Sequence, residues 1–129
     1  MTNAPQTDPS LVRDFVASSH GDIERVRVLL EEEPALINAA WDWGGGDWET
    51  GLGAAAHVGR KDIARLLLAH GARMDIFAAA MLGHLGIVQA MLEAVPEARN
   101  WRGPHGIPLL KHAEAGGADA VAVVALLRG

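Results

Sequence analysis

Thr50-Gly51-Leu52-Gly53-Ala54-Ala55-Ala56-His57-Val58-Gly59 runs directly into Arg60-Lys61-Asp62-Ile63-Ala64-Arg65-Leu66-Leu67-Leu68-Ala69-His70-Gly71-Ala72. Here a small apolar helix, a glycine turn and a Leu-striped helix follow one another. The same order returns three more times. Ala17-Ser18-Ser19-His20-Gly21 leads into Val26, Val28, Leu29 and Leu30. Ala79-Ala80-Met81-Leu82-Gly83 leads into Ile87, Val88, Met91 and Leu92, and His112-Ala113-Glu114-Ala115-Gly116 leads into Val121, Val123 and Val124. Each helix pair is amphipathic and cannot bury its apolar face alone, whereas stacked pairs share one continuous core. A recurrence near ~33 residues is the mark of a helical solenoid. The predicted fold is therefore all-α, with about four helix-turn-helix repeats over residues 9–38, 39–74, 75–99 and 100–129 and a flexible N-terminus over 1–8.

Local signals place the boundaries. Asp8-Pro9 reads as a helix start, with Asp as N-cap and Pro at the first helical position, and that helix runs to about Ser19. Gly21 is expected to end it in left-handed geometry. Asp22 opens the next helix and Pro34 stops it. The acidic run Glu31-Glu32-Glu33 reads as a solvated helix end, since it sits at the wrong end for the helix dipole.

The chain has 129 residues, half of them apolar, which suffices for one packed core and excludes a disordered chain. Net charge is −5 with no basic patch, so nucleic acid is not an expected partner. The lack of cysteine excludes disulfides, thiolate nucleophiles and Cys-based zinc sites. Met1 to Ser10 is polar and carries no secretory h-region, and the longest apolar stretch, Ala120–Leu127, is far too short to span a bilayer. A cytoplasmic protein without membrane contact is expected.

The repeated unit resembles the ankyrin repeat, whose core reads T-P-L-H-x-A-A-x-x-G, then I-V-x-L-L-L, then G-A. Thr50, Leu52, Ala55, Ala56 and Gly59 stand in that register, with Gly51 and Gly53 where Pro and His are usual. Ile63, Leu66, Leu67, Leu68, Gly71 and Ala72 complete the unit, and Ile107-Pro108-Leu109 with Ala113 and Gly116 repeats it. The other two copies keep the Ala and Gly positions but lose the T-P-L-H start. The resemblance covers about residues 9–128. It implies a solenoid with β-turn fingers and little regular strand, binding partner proteins through fingers and inner helices.

The departures from the period single out the rim. The marker glycines 21, 59, 83 and 116 are separated by 38, 24 and 33 residues. The excess falls in Ala40–Glu49, a long second finger. The deficit removes the third finger, since Asp75 leads straight into Ile76-Phe77. The fourth finger, Asn100–Gly106, is present. A notch between loops 41–50 and 101–106 is therefore expected.

Trp41, Trp43 and Trp48 surround the triplet Gly44-Gly45-Gly46, and aromatics with a polar N–H are typical of binding hot spots. The triplet permits a tight turn or close approach to a ligand, and nothing in it matches a phosphate-binding loop. The other reading is that the indoles fold back and fill the notch. On the facing loop, Trp101, Arg102 and His105 surround a rigid turn at Pro104. Asp47, Glu49, His57 and His105 are the candidates for acid–base chemistry or a divalent metal site, although their spacing matches no metal motif. No metal or cofactor is predicted. Met74, Met81 and Met91 read as filler, with Met81 flooring the notch. His70 and His84 read as structural hydrogen-bonders, and His112 is placed toward the concave face. The last helix, from Ala118 to Arg128, is apolar nearly all round, which points to a homodimer through it, the alternative being that its small Ala and Val side chains tolerate exposure.

The expected function is non-catalytic recognition of a partner protein, carried by Trp41, Trp43, Trp48 and Trp101, with Asp47, Glu49, Arg102 and His105 setting orientation and Met81 beneath. The alternative is a small-molecule pocket or an enzyme with its site in the notch.

Overall fold

The computed structural model describes residues 4–129. It is mostly helical, with one small two-stranded sheet. Part of the stretch expected to be flexible, residues 1–3, lies outside the described residues, and 4–8 carry no regular element.

Helix α1 (Pro9–Ser18) starts as its sequence dictates: the Asp8 carboxylate accepts the Ser10 N–H, and Pro9 takes a position with no amide to leave unpaired. Helix α2 (Ile23–Glu32) is capped by Asp22 through the Arg25 N–H. Pro34 ends it, and Glu33 then accepts the Ala35 N–H to cap a short 3-10 turn, Pro34–Asn38. The last residue of the acidic run thus has a local task beyond solvation. After the sheet come α3 (Gly51–His57), capped by Thr50, and α4 (Lys61–Ala69). Asp75 caps α5 (Ile76–Leu82) directly, so no finger separates α4 from α5. Next come α6 (Leu85–Ala94) and α7 (Leu109–Ala115). A 3-10 turn over Gly117–Ala120 leads into α8 (Val121–Arg128), which begins later than expected.

The helices pair in chain order, α1 with α2, α3 with α4, α5 with α6 and α7 with α8, while α1, α3, α5 and α7 meet one another in sequence. The inner helices are crowded, which is why they are built of Ala: Ala54–Ala56 and Ala78–Ala80 are fully buried. One core cluster holds Phe15, Leu29, Leu36, Ile63, Leu67 and Met81; the other holds Ile76, Val88, Leu109, Val123 and Leu127. Asn38, at the end of the turn that follows α2, ties that turn to the segment after α4, donating to the Gly71 carbonyl and accepting the Arg73 N–H.

The marker glycines do not share one role. Gly83 is left-handed at φ 78°, whereas Gly21 is not left-handed and Gly116 is right-handed at φ −74°. Gly116 is required by packing instead, since a Cβ there would lie 2.1 Å from the Met81 carbonyl oxygen. Among the described residues, no helix is long and apolar enough to cross a membrane.

Candidate functional site

The second finger is a hairpin of β1 (Ala40–Asp42) and β2 (Trp48–Thr50), paired antiparallel with Trp41 opposite Glu49. Its tip needs glycine: Gly44, Gly45 and Gly46 have φ of 137°, 65° and 88°, and Asp42 Oδ1 accepts the N–H groups of Gly44 and Gly46 at 2.8 and 3.1 Å. The triplet is therefore spent on the turn. The fourth finger is a 3-10 turn, Pro104–Gly106, closed by a bridge between Arg102 and Pro108. The Arg102 guanidinium donates to the Gly106 carbonyl at 3.0 Å, so it braces its own loop.

The two fingers clasp each other. Asp47 Oδ1 accepts the His105 backbone N–H and Oδ2 accepts its Nδ1–H, both at 2.7 Å. His105 is the one non-glycine with positive φ among the described residues, at φ 62°. Such a conformation is uncommon for a side-chain-bearing residue and persists where its surroundings hold it. The His105 backbone N–H, more than any other group, holds the Asp47 carboxyl below its ordinary value.

Beside the clasp lies a buried carboxylate. The Glu49 side chain is wholly shielded from solvent. Its Oε1 accepts the Trp43 indole N–H at 2.9 Å and lies 3.2 Å from His20 Nε2. Its Oε2 lies 3.2 Å from both His57 Nε2 and His105 Nε2. The His57 ring stands edge-on to the rings of His20 and His105, with centroids 5.0 and 5.2 Å away. Burial opposes charge on Glu49, but the imidazoles of His20 and His57 and the Trp43 N–H outweigh it and hold the carboxyl well below the usual range. Glu49 in turn raises the His20 pKa, against partial desolvation.

Local sequence explains the convergence. His20 follows α1 and His57 ends α3, and these helices pack side by side. Glu49 directly precedes the Thr50 cap of α3. A Cβ at Gly53 would meet Pro104 Cγ at 3.4 Å and Glu49 Cγ at 3.8 Å, ordinary contacts, so the fourth finger does not require glycine there. Gly51, by contrast, makes way for Phe15, whose Cε2 would be 2.7 Å from an added Cβ. Of the two glycines that depart from the expected pattern, Gly51 thus serves the helix contact behind the site.

Asp47, Glu49, His57 and His105 are brought together. His20 completes the set and was missed by the sequence reading, although it directly precedes the first marker glycine and His57 lies two residues before the second. One donor atom from each of His20, Glu49, His57 and His105 lies within 4.8 Å of the others. Three imidazoles and a carboxylate can ligate a divalent transition metal or pass a proton between them.

The tryptophans divide. Trp43 folds back onto Glu49, and Trp41 packs against the first core cluster. Trp48 is 61% exposed and lines two recesses. One, of about 370 Å³, is walled by Asp47, Asp75, Phe77, Arg102 and Pro104; the other, of about 480 Å³, by Thr7, Pro9, Val12, Trp41 and Asp42. Trp101 is half-exposed and borders neither.

Other positions differ from expectation. Met81 is fully buried in the first core cluster, because α5 is enclosed on nearly every side; Phe77 borders the recess in its place. His112 is fully buried against Phe77 and donates to the Pro108 carbonyl, so it does not reach a concave face. His70 bonds the Leu66 carbonyl, but His84 caps α6 without a side-chain bond. Compared with family models, curated proteins and solved structures, the chain gives no match.

Proposed function

We propose that the chain is an ankyrin-type solenoid whose function is non-catalytic recognition of a partner protein at its rim. The in-order helix pairs, the left-handed turn glycines and the bracing by Asn38 support the architecture. One observation carries the function: Trp48 stands exposed on a braced hairpin, as the shared wall of two recesses. An exposed indole on a rigid support is a typical hot spot, and fingers locked before binding lose little freedom when a partner docks. Adjacent side chains of an extended partner segment would straddle Trp48, one in each recess, with Arg102 and Asp75 at the edge orienting its backbone.

A second reading, a small-molecule ligand, is favoured by the 370 Å³ recess, where the two aromatic side chains of Trp48 and Phe77 meet the charged Asp75 and Arg102. Affinity capture with purified protein separates the two. Wild-type protein is expected to retain one stoichiometric protein, and Trp48→Ala to weaken that binding about thirty-fold or more, ~2 kcal/mol, with melting unchanged. Equal retention by Trp48→Ala overturns the site. Saturable quenching of tryptophan fluorescence by a metabolite, with no protein retained, selects the second reading.

A further inference from the structure

We propose that His20, Glu49, His57 and His105 form a binding site for a divalent transition-metal ion of the zinc class, which ties the end of α1 to both fingers. The first support is convergence: four donors from three separate segments lie within 4.8 Å of one another. A metal–nitrogen bond of about 2.0–2.1 Å closes that span with small side-chain adjustments.

The second support is the proton arrangement. His20 Nδ1 faces the carbonyls of Val16 and Ala17 at 3.0 and 3.1 Å, and His105 Nδ1 faces the Asp47 carboxylate at 2.7 Å. Carbonyls and carboxylates only accept, so both Nδ1 atoms carry a proton and Nε2 is the atom that each ring turns toward Glu49. Nε2 of His20 and Nε2 of His105 each stand 3.2 Å from a Glu49 carboxylate oxygen. A metal ion there displaces any proton from Nε2 and takes the nitrogen and oxygen lone pairs as ligands. The Asp47–His105 pair is also the outer-shell support that metal-ligating histidines use to fix tautomer and ring orientation.

The third support is independent of both. Glu49 Oε2 and His57 Nε2 are buried, 3.2 Å apart, and neither has a hydrogen-bond partner. Burying polar atoms without partners is costly. Here two imidazoles approach the same oxygen without either aligning on it, as donor atoms do when they address a common point. Protonation of His20 pairs Oε1 but leaves Oε2 facing two rings. Charging all three rings would place three cations within hydrogen-bond reach of one carboxylate.

The donor chemistry selects the ion. Three nitrogens and one oxygen suit zinc, cobalt, nickel or copper and do not suit magnesium or calcium, which prefer oxygen. His20 and His105 are partly exposed and give the ion a way in, while the Trp43 indole lies 6.4 and 6.2 Å from their rings.

The test uses the full chain, stripped with a chelator. Titration calorimetry with Zn²⁺ at neutral pH is expected to give one site with a Kd of about a micromolar or tighter. Mg²⁺ is expected to give no heat. His20→Gln, His57→Gln and His105→Gln are each expected to weaken Zn²⁺ about ten-fold or more, while His70→Gln binds as wild type. Co²⁺ on the unmodified chain is expected to develop visible d–d absorption and to quench tryptophan emission, and Trp43→Phe to lose most of that quenching. The cobalt arm needs no variant of a ligand, so a misfolded histidine variant does not decide the outcome. Binding weaker than about a millimolar, or an equal loss in His70→Gln, overturns the site, as does a cobalt spectrum matching the free ion.

Discussion

At the scale of single residues, Gly83 and Gly86 lie three positions apart and meet opposite demands. Gly83 has φ 78°, and a Cβ there would lie 2.0 Å from the Asp119 carbonyl oxygen. Gly86, in the first turn of α6, has open space around the same position. Gly83→Ala adds backbone strain to a clash with main chain that cannot rotate away, and is expected to cost about 2 kcal/mol or more. Gly86→Ala is expected to gain about 0.4–1 kcal/mol through helix propensity and a less free unfolded chain. Urea denaturation midpoints compare the two, and a Gly83→Ala midpoint at or above that of Gly86→Ala would refute the contact between the end of α5 and the turn before α8. The recurrence of glycine was legible in sequence. Which glycine serves a turn and which serves a crossing was not, since Gly116 is explained only by the nearness of the Met81 carbonyl.

At the scale of elements, the site is a relation between two loops that are far apart in the chain. The glycine intervals placed a long second finger and a fourth finger on either side of a missing third, and both flank one recess. Interval lengths say nothing about how a loop tip is pitched, so the bidentate pairing of Asp47 with His105 lay beyond them. His20 escaped for a similar reason: a histidine at a helix end becomes a site residue only when the neighbouring helix brings His57 alongside. The clasp makes a local prediction. Asp47→Ala removes two short hydrogen bonds and frees the strained His105. Amide exchange at Gly103, Gly106 and Ile107, whose N–H groups bond within the fourth finger, is expected to accelerate about ten-fold. Global stability is expected to fall by only about 1–2 kcal/mol. Unchanged exchange at those amides would mean that the fourth finger is held without Asp47.

At the scale of the whole molecule, alternating small and Leu-striped segments made the helical class and the pairing of helices readable, because burial of an amphipathic face leaves few other arrangements. The interior composition was less readable. His112 stands at an Ala position from which the concave face is the expected direction, yet it is fully buried in the second half of the molecule. Burial, more than any other factor, pushes its pKa below the ordinary value; His57 adds to this, while the Pro108 carbonyl and Asp75 oppose it. The sign follows. At pH 5.5 the unfolded chain protonates a free imidazole of pKa about 6.5 more fully than the folded chain, whose His112 pKa is lower, so the unfolded state binds more protons and stability falls as the pH drops. If the folded state refuses the proton throughout, the loss between pH 7.5 and 5.5 approaches about 1.4 kcal/mol. The Glu49 cluster also titrates. His20, with its pKa raised, contributes stability that is present at low pH and lost on raising it, whereas Glu49, with its pKa lowered, contributes stability that is lost in acid. Comparing wild type with His112→Leu cancels those contributions. Denaturant unfolding at both pH values is expected to show a steeper acid loss in wild type, by up to that amount. Equal acid losses in the two proteins would mean that His112 is protonated as readily in the folded chain as in the unfolded one, and that the second core tolerates a charge.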